Sequence, residues 1–142
     1  MTADGTLFRL VYASRSLVPE DGVPVELPRI LDAARRWNAA QGITGALLFS
    51  ADGFVQVLEG PVAAVEATFE RIKCDPRHAD VVVLEAGMVP ARDFEGWSMA
   101  YAGRRPDLRV AGFGAAPDGA PQAMLDLLRG TLGRLAGAAV PA

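Results

Sequence analysis

Two apolar runs, residues 43–50 and 54–58, flank the tripeptide Ala51-Asp52-Gly53, and no other stretch constrains the fold as much. Asp-Gly between strand-forming runs predicts a hairpin, because both residues tolerate the positive φ angles of a tight turn with the right twist. A helical pattern lies on each side. Upstream, Leu27, Ile30, Leu31, Ala34, Trp37 and Asn38 recur at steps of three and four and share one stripe. Pro28 is compatible only with a first turn, which predicts a start between residues 25 and 27, and Gly42 is the natural stop. Downstream, Pro61 opens a second helix with Val62, Val65, Phe69 and Ile72 on one face, and Asp75-Pro76 ends it.

Residues 7–14 form a strand pattern ahead of these, with Leu10 and Tyr12 on one face and Arg9 and Val11 on the other. A loop holding Pro19, Gly22 and Pro24 follows it. Residues 81–84 are a further strand run and residues 97–101 a shorter one. Residues 102–121 turn to Gly, Ala, Pro and Arg and predict a loop. Residues 122–135 predict a last amphipathic helix, interrupted by Gly130 and Gly133. The order predicts an α+β fold: a ferredoxin-like βαββαβ sheet with two helices on one face, an added fifth strand, and the C-terminal helical segment on the other face. The expected division is a core over 1–103 and an extension over 104–142.

A chain of 142 residues, 51% apolar, is enough for one core. Its 14 basic and 17 acidic side chains give −3, without the positive excess that a phosphate backbone demands, so no nucleic acid is expected as a partner. The single Cys74 excludes an internal disulfide and suits a reducing compartment; helix-end packing is its expected role. No apolar run approaches the roughly 20 residues that span a bilayer, and the opening residues lack a leader pattern. A cytoplasmic location is expected. There is no Gly-rich phosphate loop, HExxH, CxxC or nucleophile elbow, and His78 is the sole histidine, so neither a catalytic triad nor a metal site is expected.

Three polar residues fall where a core should be apolar. Tyr12 is mid-strand, Asn38 lies on the apolar stripe of the first helix, and Gln56 is at the centre of the second hairpin strand. Taken singly, each has a plainer role: a core tyrosine with its hydroxyl at the rim, a local helix cap, a solvent-facing glutamine. Together they could satisfy one another or face a polar ligand between the helices, since burying such groups unpaired costs about 1–3 kcal/mol each. Tyrosine, glutamine and asparagine make a poor hydrolytic set near neutral pH. They make a better set for recognising an amide or imide edge, because Asn and Gln each offer a donor and an acceptor.

The spelling of four segments resembles the BLUF family, the blue-light sensors that use FAD: LVYASRS, NAAQGITGALLFSADGFVQVLEGP, RIKCDPRH and RDFEGWSMAY. The resemblance runs from about Thr6 to Gly103. It implies that Tyr12 donates an electron and proton to the excited flavin and that Gln56 lies between Tyr12 and the flavin N5 and C4 carbonyl. Asn38 then holds the imide edge, Arg71 serves the pyrimidine-side carbonyl, and Ile30 and Ile72 sandwich the ring. Trp97 and Met99 are implied as the relay on the last strand. A strengthened hydrogen bond from Gln56 would shift the flavin absorption slightly to the red, which is switching rather than catalysis. FAD is the expected cofactor, with FMN or riboflavin as substitutes that a preparation could carry.

Trp37 departs from the resemblance, standing where some relatives carry a second polar residue. An ordinary core anchor is expected, with cofactor packing or a competing electron donor as alternatives. Asp75, Arg77 and His78 form the DPRH turn, for which phosphate or ribityl contacts compete with turn and capping duties. With only residues 104–142 after the core, no attached output domain and an unlinked downstream protein partner are expected, and the amphipathic tail favours a homo-oligomer, a dimer first. The competing classes are a small ferredoxin-like enzyme and a cofactor-free interaction module.

Overall fold

The computed structural model of the chain, which describes residues 7–50, 53–96 and 98–105, builds its sheet outwards from β1 (Leu7–Ser16) and β3 (Gly53–Pro61). These pair antiparallel, with Leu10 opposite Leu58 and Tyr12 opposite Gln56. β2 (Thr44–Ser50) pairs antiparallel with the far edge of β3, β4 (His78–Met88) pairs antiparallel with the far edge of β1, and β5 (Ala100–Arg105) runs parallel to β2. The strand order is β4-β1-β3-β2-β5. Because β1 and β2 both run antiparallel to β3, they are parallel to each other with β3 between them. β3 and β4 stand in the same relation about β1. The helices α1 (Val23–Gln41) and α2 (Val62–Lys73) are therefore the crossovers of two split βαβ units, and right-handed crossovers put both on one face.

That face carries the alternate residues Leu10, Leu47, Phe49, Phe54 and Leu58, which pack with Val23 and Leu31 of α1, Val65 of α2 and Ile43. Burial of each large apolar side chain contributes roughly 1.5–3 kcal/mol. Phe49 and Phe54 are the last pair before the hairpin turn, and their rings stack with centroids 4.9 Å apart. Two glycines hold the helix-to-hairpin corner. Gly42 ends α1 in the left-handed region at φ 73°. A Cβ on Gly45 would lie 1.9 Å from the carbonyl oxygen of Val57, so only glycine lets β2 approach β3 there.

Several expectations need correction. α1 begins at Val23 rather than between residues 25 and 27, and Pro28 stands inside the helix beyond its first turn. The tolerance comes from its place near the N-terminus, where it removes a single backbone bond. β4 extends far beyond residues 81–84 in both directions. The strand expected over 97–101 is found at Ala100–Arg105, so part of the stretch assigned to a loop belongs to the sheet, and the sheet continues past residue 103. Cys74 is the exposed C-cap of α2 rather than a packing residue. On the opposite sheet face Val11, Leu48, Val55 and Val57 are also buried. The terminal helix expected there, the rest of the loop before it, and Trp97 lie outside the described residues. Among the described residues, no helix is long and apolar enough to cross a membrane.

Candidate cofactor-binding cleft

Residues of α1, α2 and the sheet line a cleft of about 800 Å3, its solvent-open mouth included. Tyr12, Leu47, Phe54 and Gln56 make the floor; Ile30, Ala33, Ala34, Trp37 and Asn38 of α1 make one wall; Thr68, Arg71 and Ile72 of α2 make the other. Asp75, Arg77 and His78 close one end. The eight side chains that the resemblance assigns to a cofactor, Tyr12, Ile30, Asn38, Gln56, Arg71, Ile72, Asp75 and His78, thus all border one space.

The polar floor is bonded internally but incompletely. The Tyr12 hydroxyl donates to Gln56 Oε1, and Gln56 Nε2 donates to Met99 Sδ at 3.7 Å, a weak acceptor. Asn38 is 2% exposed. Its backbone carbonyl closes the helix end by accepting from Gly42 and Ile43, so the capping is done by its main chain. Its side-chain Nδ2 donates to Ser98 O at 2.8 Å, and its Oδ1 has no partner among the described residues. A buried acceptor and an amide donor held only by a thioether need a ligand with a donor and an acceptor side by side. An imide edge fits that complement, and Ile30 and Ile72 on opposing walls offer the apolar faces that a flat ring needs.

Electrostatics keep the phenol neutral. Burial, aided by the nearby Asp75 carboxylate, pushes the Tyr12 hydroxyl above its usual range. Asp75 is held below the usual carboxylate range, chiefly by side-chain hydrogen bonds from Arg77, which reaches Oδ2 with Nη2 at 2.6 Å and Oδ1 with Nε at 3.0 Å. Asp75 also accepts the backbone N–H of Arg77, so it is a turn-forming residue that borders the cleft as well. His78 is tied by both nitrogens, Nε2 to Ile72 O and Nδ1 to Ser14 Oγ, each at 2.7 Å. A carbonyl oxygen only accepts, so Nε2 carries the proton, and His78 offers the cleft its ring rather than a hydrogen bond.

Trp37, expected as a core anchor, stands on the cleft wall. Its Nε1 donates to Thr68 Oγ1 at 2.9 Å, and the Arg71 guanidinium lies 4.2 Å from the centre of its ring. The bridge ties α1 to α2 across the cleft and holds Arg71 in place. Arg77, weighed with its DPRH neighbours for phosphate or ribityl contacts but left out of the expected cofactor set, also lines the cleft. Leu47 and Phe54 were reachable from strand parity, because they share the Gln56 face. Among the described residues, no group of three or more His, Cys, Asp or Glu side chains could hold a metal ion.

Residues 7–100 match the family model described as BLUF, sensors of blue-light using FAD. Photoactivated adenylate cyclase subunit beta of Euglena gracilis is 39% identical over 102 residues, which are 71% of this chain and only 12% of that protein. Among solved structures, BlrB, a BLUF protein in its dark state, aligns with a TM-score of 0.69 and 31% identity over 94% of this chain and 98% of that one. BlsA in its ground state aligns with a TM-score of 0.75 and 28% identity over 87% of each chain.

Proposed function

Because the chain belongs to the BLUF family, the sensors of blue light that use FAD, we propose that Tyr12 and Gln56 are its photochemical pair and that Asn38 and Gln56 hold the imide edge of the cofactor. Ile30 and Ile72 enclose the ring, Arg71 serves the pyrimidine side, and Asp75 and His78 shape the end of the cleft. Bound FAD supplies the light-absorbing group and a strong excited-state oxidant. Tyr12 is the side chain that would supply an electron to that group, and its bond to Gln56 Oε1 is the path its phenolic proton would take. With the phenol restored, Gln56 would keep the record as a rotated or tautomerised amide. Its hold on Met99 Sδ changes with it, and the segment of Trp97 and Met99 carries that change onward. No bond is made or broken overall, so the chain is a switch rather than an enzyme.

The observation that supports this most directly is the bond from the Tyr12 hydroxyl to Gln56 Oε1 on the cleft floor, with Gln56 Nε2 left on a thioether. On this reading the sensor hands its output to a separate protein. Residues 1–103 sense, residues 104–142 carry the output, and the chain works in the cytoplasm as a homo-oligomer, a dimer first. Light-minus-dark absorption tests the core of it. Tyr12→Phe keeps the flavin and loses the reversible red shift, and Gln56→Leu loses the normal light-state spectrum. A full shift in either variant overturns the assignment, and protein that stays colourless and refuses added FAD overturns the whole reading.

A further inference from the structure

Arg35 and Asn38 lie three residues apart on α1 and so share a face. Each donates to one of two consecutive carbonyls just before β5: Asn38 Nδ2 to Ser98 O at 2.8 Å, and Arg35 Nε to Met99 O at 3.0 Å. In an extended strand, successive carbonyls point to opposite sides. Two that reach one helix therefore belong to backbone that has not entered the ladder, and pairing with β2 begins only at Ala100, opposite Ala46. Met99 is fully buried and held at both ends, by Arg35 at its carbonyl and by Gln56 at its sulfur. The β2–β5 register also shifts between Leu47 and Leu48, so the ladder alone does not fix the alignment of β5. Arg35 does not line the cleft, and the bond it makes is to main chain.

Resting on Gln56 as the switch, we propose that Arg35 is a positioning residue, a latch from α1 that holds the entry to β5 in its dark-state place until Gln56 changes its grip on Met99. Without the latch, part of the population has a released β5 entry before any light arrives.

Hydrogen exchange in the dark, followed on the flavin-loaded protein for the peptide over residues 98–105, reads the latch directly. Arg35→Met keeps the aliphatic stem and removes the donor; it speeds exchange there about fivefold, the scale of one lost hydrogen bond. Arg35→Lys keeps a donor and restores most of the protection. In Arg35→Met the light-minus-dark infrared change of the backbone carbonyls shrinks by about half while the visible red shift stays full-sized. Wild-type exchange in Arg35→Met, or Arg35→Lys no better protected than Arg35→Met, overturns the latch. The exchange measurement needs no photochemistry, so it judges Arg35 alone; wild-type protein without any light-driven shift would count instead against the Tyr12–Gln56 pair.

Discussion

Tyr12 and Gln56 are direct cross-strand partners, facing each other on β1 and β3 with the phenol donating to the amide oxygen. Their meeting is a matter of sheet register, because a slip of one residue would turn either side chain to the far face. The same register puts Leu10 beside Leu58 one step along the face, so the hydrophobic core that fixes the pairing also fixes the meeting of phenol and amide.

Breaking that pair from one side leaves a buried amide oxygen without its donor. In the flavin-free protein, Tyr12→Phe is expected to cost about 1–3 kcal/mol of unfolding free energy. The double variant Tyr12→Phe with Gln56→Leu should lose clearly less than the two single losses together, since removing both partners strands no polar atom. Denaturant titration of the four proteins checks this, and strictly additive losses would contradict it.

The raised Tyr12 hydroxyl sets an alkaline limit. Below the ordinary tyrosine value of about 10, both folded and unfolded states keep the proton, and Tyr12 leaves stability independent of pH. Above it the unfolded chain ionises while the folded one resists, so stability falls as pH rises. Tyr12→Phe should flatten that alkaline fall, and in the loaded wild type the light-driven shift should keep its size up to pH 10. A shift that titrates away by pH 9 would show that the phenol is not held neutral.

Asp75 acts at the acid end with the opposite sign. Its folded value is lowered, chiefly by Arg77, so its contribution is present above the ordinary carboxylate value of about 3.9 and is lost as pH falls through the lowered one. Asp75→Asn should therefore lose less stability than wild type between pH 5 and pH 2. The difference should stay under about 1 kcal/mol, because the pair is partly solvated. Equal losses would mean that the ion pair contributes nothing.

Much of this was legible because strand parity and helical stripes survive in single residues. Asn38 on an apolar stripe and Gln56 in an apolar strand both stood out as polar residues at core positions, and Gly42 announced the helix stop. β4 was misjudged in length because it is an edge strand, with Val82, Val83 and Met88 exposed, and its alternation is blurred by register shifts against β1. β5 was misplaced because Gly103, Arg104 and Arg105 have no strand preference; parallel pairing with β2 makes them a strand. Glu59 stood in an apolar run, and nothing local told that its carboxylate would be fully buried.

Glycine positions separate what the sheet tolerates from what it does not. Gly45→Ala drives a Cβ into the Val57 carbonyl and should cost about 3 kcal/mol or more, the upper range of overpacking. Gly87→Ala meets nothing within 4 Å and should stay within about 0.5 kcal/mol of wild type. Similar unfolding midpoints for the two would show that β2 and β3 can part at little cost.

Glu59, 0% exposed, gathers the segment that leads toward Ser98 and Met99. Oε2 accepts from Arg9 Nη2 at 3.3 Å and from the Asp93 N–H at 2.8 Å; Oε1 accepts from Thr44 Oγ1 at 3.2 Å and from the Phe94 N–H at 3.0 Å. Arg92 reinforces the corner by donating to Thr44 Oγ1, Glu59 O and Gly42 O. Replacing the carboxylate by an amide turns an NH2 group toward existing donors and removes a buried counter-charge from Arg9. Glu59→Gln should therefore cost about 3 kcal/mol, against about 1 kcal/mol for Thr44→Val, which removes only a hydroxyl. Denaturant unfolding of both variants decides the matter: if Glu59→Gln costs no more than Thr44→Val, the charge is not what holds the segment, and the backbone bonds alone must be doing so.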